Sequence, residues 1–435
     1  MTITNLAQYK RKPIPRFNSL DKWLAWQETL HFTAIELGLD RCRRVANAIG
    51  LLPPSYFVIS ISGTNGKGSC AIMLETILRG AGYNVGLYTS PHLLRYNERI
   101  KLYGQEVSDA ILCDSFNKID IARGTTSLTY FEFSTLAAMN IFQNNNVDIA
   151  VMEVGMGGRL DAVNMLDADI SLISTIDIDH ENWLGSDREA IGMEKSGIFR
   201  SMRPAVCADP HPPQSVLKTA NLVGAKLIRS GLDYKYEISG SDWSWQSSKV
   251  CYQKLPIPGD HSYQIQNASG VLMVLQSMAE NFQVQREAID KGMGNFSLPG
   301  RFHVVPGEVS FVFDVAHNRQ SAATLVANIC TLPPARKTIL ILGMLKDKDH
   351  ATFMNEFSDC IDNWYVATLD STRGANADEL ATKLKTINPD AVVTTFDELL
   401  HAFSTALSVV KSGDRIVVTG SFITVGIALK YFKIE

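Results

Sequence analysis

The sequence predicts an α/β protein in two unequal parts. The first is an N-terminal, mostly parallel sheet domain of the phosphate-loop type. The second is a smaller, Rossmann-like C-terminal α/β domain. Three observations carry this expectation. The chain has 435 residues, more than one hydrophobic core usually serves. Apolar runs alternate with helical patterns, and strands apolar on both faces belong in parallel sheets covered by helices. The pattern breaks at SLPGRF (297–302), where Pro299 and Gly300 interrupt regular structure and a second series of strands begins.

In the N-terminal half, YFVISIS (56–62) reads as a strand running into a glycine-rich turn and then a helix. NVGLYTS (84–90) follows as a strand. FEFSTLAAMNIFQ (131–143) reads as a helix, then VDIAVMEVG (147–155) and ADISLISTIDI (168–178) as strands. Residues 228–258 alternate in polarity and carry turn residues, which predicts a small antiparallel insertion. Beyond the break, VSFVFDVAHN, KTILILGML, NWYVATL, AVVTTF and DRIVVTGS are five candidate strands with helices between them, a second doubly wound unit. The expected divisions are 1–297, a linker at 298–301, and 302–435. Two such units face each other across a cleft suited to ligands.

Composition narrows the function. With 46% hydrophobic and 20% charged residues the chain reads as a soluble globular protein. A net charge of -4 gives no reason to expect nucleic acid or an anionic membrane as partner. No apolar run approaches the roughly 20 residues a membrane helix needs. The N-terminal stretch MTITNLAQYKRKPIPRF is polar and shows no signal-peptide core. Seven scattered cysteines without a C-x-x-C pair fit a reducing cytoplasm rather than a disulfide framework.

The chemistry is expected at strand ends. Gly63, Thr64, Asn65, Gly66, Lys67, Gly68 and Ser69 lie between a strand and a helix, where free N–H groups and the helix dipole attract an anion. The loop departs from G-x-x-x-x-G-K-[ST]: Ile61 stands where a glycine is wanted, and Gly68 follows the lysine. Lys67 can reach terminal phosphates, and Ser69 or Thr64 supplies a hydroxyl. Glu153 in MEVGMGGRLDAVN ends a strand, either as a solvated edge or as a metal or catalytic carboxylate. Asp177, Asp179, His180 and Glu181 cluster at another strand end. Lys195, in GMEKSGIF, reads by spacing alone as an ordinary surface lysine. In the second half, Asp314, His317 and Asn318 end a strand, Arg301 follows the linker, and GMLKDKD and TGSFITVG also follow strands.

GTNGKGS, SPHLLRYNERI, LTYFEF, EVGMGGRLDAVN, DIDHENWLG, EKSGIFR, LPGRF, DVAHN, GMLKDKD and GSFITVG occur in that order. Together they resemble the bacterial bifunctional dihydrofolate synthase/folylpolyglutamate synthase family, relatives of the Mur cell-wall ligases. GTNGK alone marks only the wider superfamily; LTYFEF, EKSGIFR and LPGRF are more specific to the folate branch. The resemblance spans the chain from about Ala34 to Val425. It implies an ATP-dependent amide ligation through an acyl phosphate, joining L-glutamate to 7,8-dihydropteroate and adding γ-linked glutamates to reduced folates. It places ATP at Thr64, Asn65, Gly66, Lys67, Gly68, Ser69, Asn267, Arg301 and Asp314. Its metal positions fall on Ser90, Glu153 and His180, for two Mg²⁺ ions with Mn²⁺ tolerated. Its carbamylated lysine falls on Lys195, so that Lys67, Lys195 and His180 are the implied catalytic residues. The pterin positions are Glu36, Leu37, Thr129, Tyr130, Phe131, Glu132, Leu160, Asp161 and Ala162, with Phe131 able to stack on a flat ring. His317, Asn318 and Lys346 are further cleft candidates. A cytoplasmic monomer is the family expectation.

The sequence departs from the family pattern at Val163, Asn182 and Arg319, where Thr, Asp and Pro are usual. None is a phosphate-loop, metal or carbamate position. Two relatives of the same chemistry remain alternatives, a folylpolyglutamate synthase without the first activity and another Mur-type amino-acid ligase. A nucleotide-dependent switch would lack the metal carboxylate and the second-domain groups. A dinucleotide oxidoreductase would need a true G-x-G-x-x-G and an acidic residue about 20 positions on.

Overall fold

The computed structural model describes residues 15–434. The N-terminal stretch read above as free of a signal peptide lies, up to residue 14, outside the described residues.

The first sheet holds β1 (Phe57–Ser62), β2 (Val85–Tyr88), β3 (Ile100–Leu102), β4 (Gln105–Glu106), β5 (Ile149–Glu153), β6 (Ile170–Ile173), β7 (Pro204–Cys207) and β8 (Lys226–Arg229). Their order is β4-β3-β2-β5-β1-β6-β7-β8. Neighbours from β2 to β8 are parallel, and β3 and β4 close one edge antiparallel. The apolar run in β1 is explained by burial on both faces. Val58 packs on one side with Phe133 and Leu136 of the helix Tyr130–Asn144. Ile59 and Ile61 pack on the other with Leu74 of the helix Lys67–Gly80 and Val271 of the helix Ile265–Ser277.

The insertion is a three-stranded antiparallel sheet of β9 (Tyr234–Ser239), β10 (Asp242–Ser247) and β11 (Cys251–Pro256). Trp243 and Trp245, two apart on one face, bury against the second core. The insertion is shorter than the expected 228–258, because residues 228 and 229 belong to β8 of the large sheet.

The second sheet holds β12 (His303–Val305), β13 (Ser310–Phe313), β14 (Thr338–Leu342), β15 (Asn363–Ala367), β16 (Val393–Phe396) and β17 (Arg415–Thr419), in the order β12-β13-β17-β14-β15-β16. The five expected strands are all present and parallel; β12 adds an antiparallel edge. Between the sheets, Gly300 has φ 72° and fits where a Cβ would come within 3.2–3.3 Å of Val425, Leu93 and Val315. Both parts of the chain press on the linker there. Among the described residues no helix is long and apolar enough to cross a membrane, and the seven cysteines are free thiols.

Candidate active site

Four adjacent parallel strands, β2, β5, β1 and β6, end side by side, where the chain crosses from one flank of β1 to the other. Such a switch point at the carboxyl edge opens a crevice. The register sets Glu153 beside Ile61 and Ile173 beside Ser62. The glycine loop, Glu153 and the turn after β6 are therefore neighbours. Gly66, at φ 85°, starts the helix Lys67–Gly80 without a side-chain cap, so the N–H groups of its first turn stay available to an anion. A Cβ on Gly66 would lie 2.4 Å from Oδ1 of Asn267, whose amide donates to Gln264 (2.8 Å).

Lys67 folds back over the loop, its Nζ donating to the carbonyls of Gly63 (3.0 Å) and Thr64 (3.2 Å). The two candidate hydroxyls are otherwise engaged. Thr64 donates to the Asp177 carbonyl (2.9 Å) and accepts from the Asp177 N–H (3.0 Å), zipping the loop to the turn after β6. Ser69 is buried and accepts from Gln264 (3.2 Å). Gly68 lies against Glu153, whose carboxylate oxygens are 3.7 Å from where its Cβ would be.

Glu153 is buried and accepts one hydrogen bond, from the Ser90 backbone N–H (3.0 Å). Burial pushes its carboxyl up, opposed by the charges of Lys67, Arg301 and Arg99 and by the Ser90 N–H. Oxygens left on Glu153 and the Ser90 hydroxyl are hard ligands. No three His, Cys, Asp or Glu side chains converge on a metal position among the described residues. The Glu153 and Ser90 oxygens fit a Mg²⁺-type ion, which takes one or two carboxylates and completes its shell with phosphate and water. His180 caps the short turn Glu181–Leu184 in a left-handed conformation, φ 55°. Burial, with Lys348 nearby, takes its imidazole down to about 3, so the ring is neutral and able to ligate. Lys195 is 3% exposed and donates to the Gly63 carbonyl (2.8 Å). Burial and the adjacent Lys67 charge lower its amine to about 7. The surface reading of Lys195 is thus replaced: the helix Arg188–Ser196 turns it inward against the loop.

The second sheet answers from across the cleft. Asn65 donates to Asn318 (3.2 Å) and Gln320 (2.6 Å), and Asn318 returns a bond to Asn65 (3.2 Å). Asp179 receives Lys348 Nζ (2.6 Å) and Asn318 Nδ2 (3.0 Å), with His317 Nε2 at 3.5 Å. Burial opposes its charge, yet the His317 hydrogen bond and the Lys348 charge hold this carboxyl far below the usual range. Asn318 also caps the helix Arg319–Thr331. Arg301 lies over Phe422, 5.1 Å from the ring centroid. It borders a cavity of about 200 Å³ that is also lined by His261 and Phe302. Asp314 accepts the N–H groups of Phe302 (2.7 Å) and Ala316 (2.8 Å), tying the linker's end to the strand edge.

Three separated segments meet just beyond the end of β5. Arg41 donates to Glu132 (3.0 Å) and pairs with Glu36. The Gly38 N–H donates to the Leu160 carbonyl (3.1 Å). Thr129 and Glu132 form the capping box of the helix Tyr130–Asn144. Phe131 lies against Gly155, where a Cβ would be 2.6 Å from its ring, and 5.9 Å from the Tyr88 ring. Asp161 accepts the N–H groups of Met156 (2.9 Å) and Val163 (3.0 Å), and burial raises its carboxyl to about 7. Leu37 is half-buried and Ala162 buried in the same region.

This geometry sets a glycine loop at a helix start beside the carboxyl edge of the first sheet, bonded across the cleft to loops of the second. Residues 61–275 match the Mur ligase middle domain, and residues 300–422 the Mur ligase glutamate ligase domain. The dihydrofolate synthase/folylpolyglutamate synthase of Escherichia coli K12 is 40% identical over 406 residues, which are 93% of this chain and 94% of that one. The chain belongs to the dihydrofolate synthase/folylpolyglutamate synthase family. A solved family member, E. coli FolC in complex with DHPP and ADP, superposes with a TM-score of 0.90 at 39% identity, covering 96% of this chain and 98% of that one. A bifunctional family structure with Mn, AMPPNP and L-glutamate bound has a TM-score of 0.89 at 39% identity, covering 97% of this chain and all of that one.

Most residues singled out from the sequence gather here, but roles shift within motifs. Lys346 is exposed; Lys348, two positions on in GMLKDKD, is the lysine that enters the cleft. In the sequence Asp179 is only one acid among three, with Asp177 and Glu181. Arg41, Gln320 and Arg99 were not singled out. Each sits in a polar run that reads as solvated surface until its partner across the fold is known.

Proposed function

We propose that this chain joins L-glutamate to 7,8-dihydropteroate, giving dihydrofolate, and adds further γ-linked glutamates to reduced folates, using ATP each time. The observation that carries this reading is the seam. The phosphate loop and the turn after β6 are bonded through Asn65 and Asp179 to Asn318, Gln320 and Lys348. A three-substrate ligation needs loop, acceptor pocket and second domain to meet. We take the two domains to be 1–297 and 302–435, joined by residues 298–301.

In the mechanism, the first-turn N–H groups and Lys67 hold the ATP phosphates, with Arg301 approaching from the linker side. Ser90, Glu153 and His180 would hold Mg²⁺, with Mn²⁺ tolerated; when bound, the metal neutralises phosphate charge and polarises the γ-phosphoryl group. Lys195, its amine lowered to about 7 and so about half free at pH 7, adds CO₂ through that free amine, releases a proton and becomes an anionic carbamate able to help hold a second ion. Arg41 sets the Glu36 and Glu132 carboxylates, and Phe131 offers its face to the flat pterin. A substrate carboxylate oxygen attacks the γ-phosphorus and ADP leaves. The amine of glutamate then attacks the acyl carbon, phosphate leaves with its oxygen, and the new amide loses a proton. Contact across the seam keeps water from the acyl phosphate. The substrates are small molecules, and we place the enzyme as a monomer in the cytoplasm, where free thiols persist.

The test incubates the protein with ATP, Mg²⁺, labelled L-glutamate and either dihydropteroate or tetrahydrofolate. Labelled product is expected with both. Product with tetrahydrofolate alone would leave a folylpolyglutamate synthase only, and product with neither would reject the ligase.

A further inference from the structure

Arg99 makes no direct ion pair with any described residue. It ends the short 3-10 helix Tyr96–Arg99, and its carbonyl accepts the Thr89 N–H (2.9 Å), one residue before Ser90. The residue is 8% exposed. Its Nε donates to Nδ1 of His92 (2.8 Å). Its guanidinium carbon lies 5.4 Å from the Tyr96 ring centroid and 5.5 Å from that of Tyr130. Among the described residues no carboxylate pairs with it, and its two terminal nitrogens have no hydrogen-bond partner. The sealed polar atoms without partners in this region are the hydroxyls of Tyr96 and Ser134; the Arg99 nitrogens are not among them and so keep contact with open space. A buried cation with no carboxylate in direct contact is costly. A planar fork with two free donors matches a carboxylate.

Its place selects which carboxylate. Tyr130, whose ring covers Arg99, starts the helix that carries Phe131 and Glu132 on the folate side. On the phosphate side, Arg99 is one of the charges that, against burial, act on Glu153. Arg99 thus lies where an acceptor would pass from its ring toward its reacting end. Dihydropteroate presents one carboxylate, and that one must react. A reduced folate ending in glutamate presents two. Its γ-carboxylate reacts and its α-carboxylate is a spectator that still has to be housed.

We propose that Arg99 clamps the α-carboxylate of the terminal glutamyl residue of reduced folates, so that one pocket serves both acceptors. The proposal rests on the bifunctional reading above. It makes Arg99 a specificity-determining residue for chain extension, with His92 and the two tyrosines fixing the fork.

The test compares kcat/KM for tetrahydrofolate, dihydropteroate and tetrahydropteroyl-4-aminobutyrate, which keeps the γ-carboxylate and lacks the α. Wild type should use this analogue roughly ten- to a hundredfold less well than tetrahydrofolate, the usual worth of a charge-assisted fork. Arg99→Met should bring tetrahydrofolate down toward the analogue's level without a comparable further loss for the analogue, and Arg99→Lys should fall between. The clamp is overturned if wild type uses analogue and tetrahydrofolate equally, or if Arg99→Met lowers all three acceptors in parallel. Should Arg99→Met fail to fold, the wild-type analogue comparison with Arg99→Lys decides. Wild-type turnover of neither natural acceptor overturns the bifunctional reading and the clamp with it, whereas turnover of both with a parallel loss in the variant overturns the clamp alone.

Discussion

Around the glycine loop, Lys67 and Lys195 are packed together in a buried setting where both amines are pushed down, whereas on the folate side Arg41 is shared between the carboxylates of Glu36 and Glu132. The first region is left short of negative charge at a cost in stability. A polyphosphate supplies what is missing, so binding energy is stored for the ligand that undergoes chemistry. The second region is internally matched, which suits the flat, mostly neutral ring proposed to sit there. Arg99 is the exception on that side, and the difference is what marks it as a ligand-binding group rather than a scaffold.

The contrast can be broken most severely on the phosphate side. Lys67→Ala should lower kcat roughly a hundred- to a thousandfold, the scale of losing one preorganised charge contact, with the fold intact by circular dichroism. Unchanged kcat would remove Lys67 from phosphate binding. At the seam, Asp179→Asn leaves Lys348 buried without its carboxylate, a loss of about 3 kcal/mol or more in comparable pairs. That loss should appear as a more open arrangement of the two domains in small-angle scattering and a raised KM for glutamate. An unchanged scattering profile would show that the pair does not hold the domains.

Titration sharpens the same contrast. Lys195 binds protons less readily in the folded state, its amine lowered to about 7, than in the unfolded chain. Between about pH 7 and the ordinary lysine range the unfolded state therefore holds more protons, and this group's contribution to stability rises with pH. The free amine needed for carbamate formation is gained in the same direction and lost as pH falls through about 7, so activity should fall as pH drops below 7 and recover in part with added bicarbonate. Lys195→Met should flatten this stability slope. The smallest effect is expected where charges are matched. Arg41→Met should raise KM for dihydropteroate several-fold and lower the melting temperature, because Glu132 is left buried without its cation. A change in kcat alone would contradict a positioning role.

Legibility in the sequence followed the range of the interactions. The glycine loop, β1 and the five parallel strands of the second sheet are local signals of spacing and apolar runs, and they stand where expected. The short strands β7, β8 and β12 were not foreseen, since three or four residues carry no usable period. Residues whose meaning comes from a partner more than 90 positions away were hidden. Arg41 needs Glu132, and Lys348 needs Asp179. Lys195 showed its character only once the fold turned it onto Gly63.

The central claim is an acyl phosphate formed at this seam from ATP and the acceptor's own carboxylate. It is tested most directly with dihydropteroate labelled with ¹⁸O in both carboxylate oxygens, in the presence of ATP and L-glutamate. The account predicts inorganic phosphate carrying one ¹⁸O for each dihydrofolate formed. Phosphate free of label, with dihydrofolate formed, would contradict it.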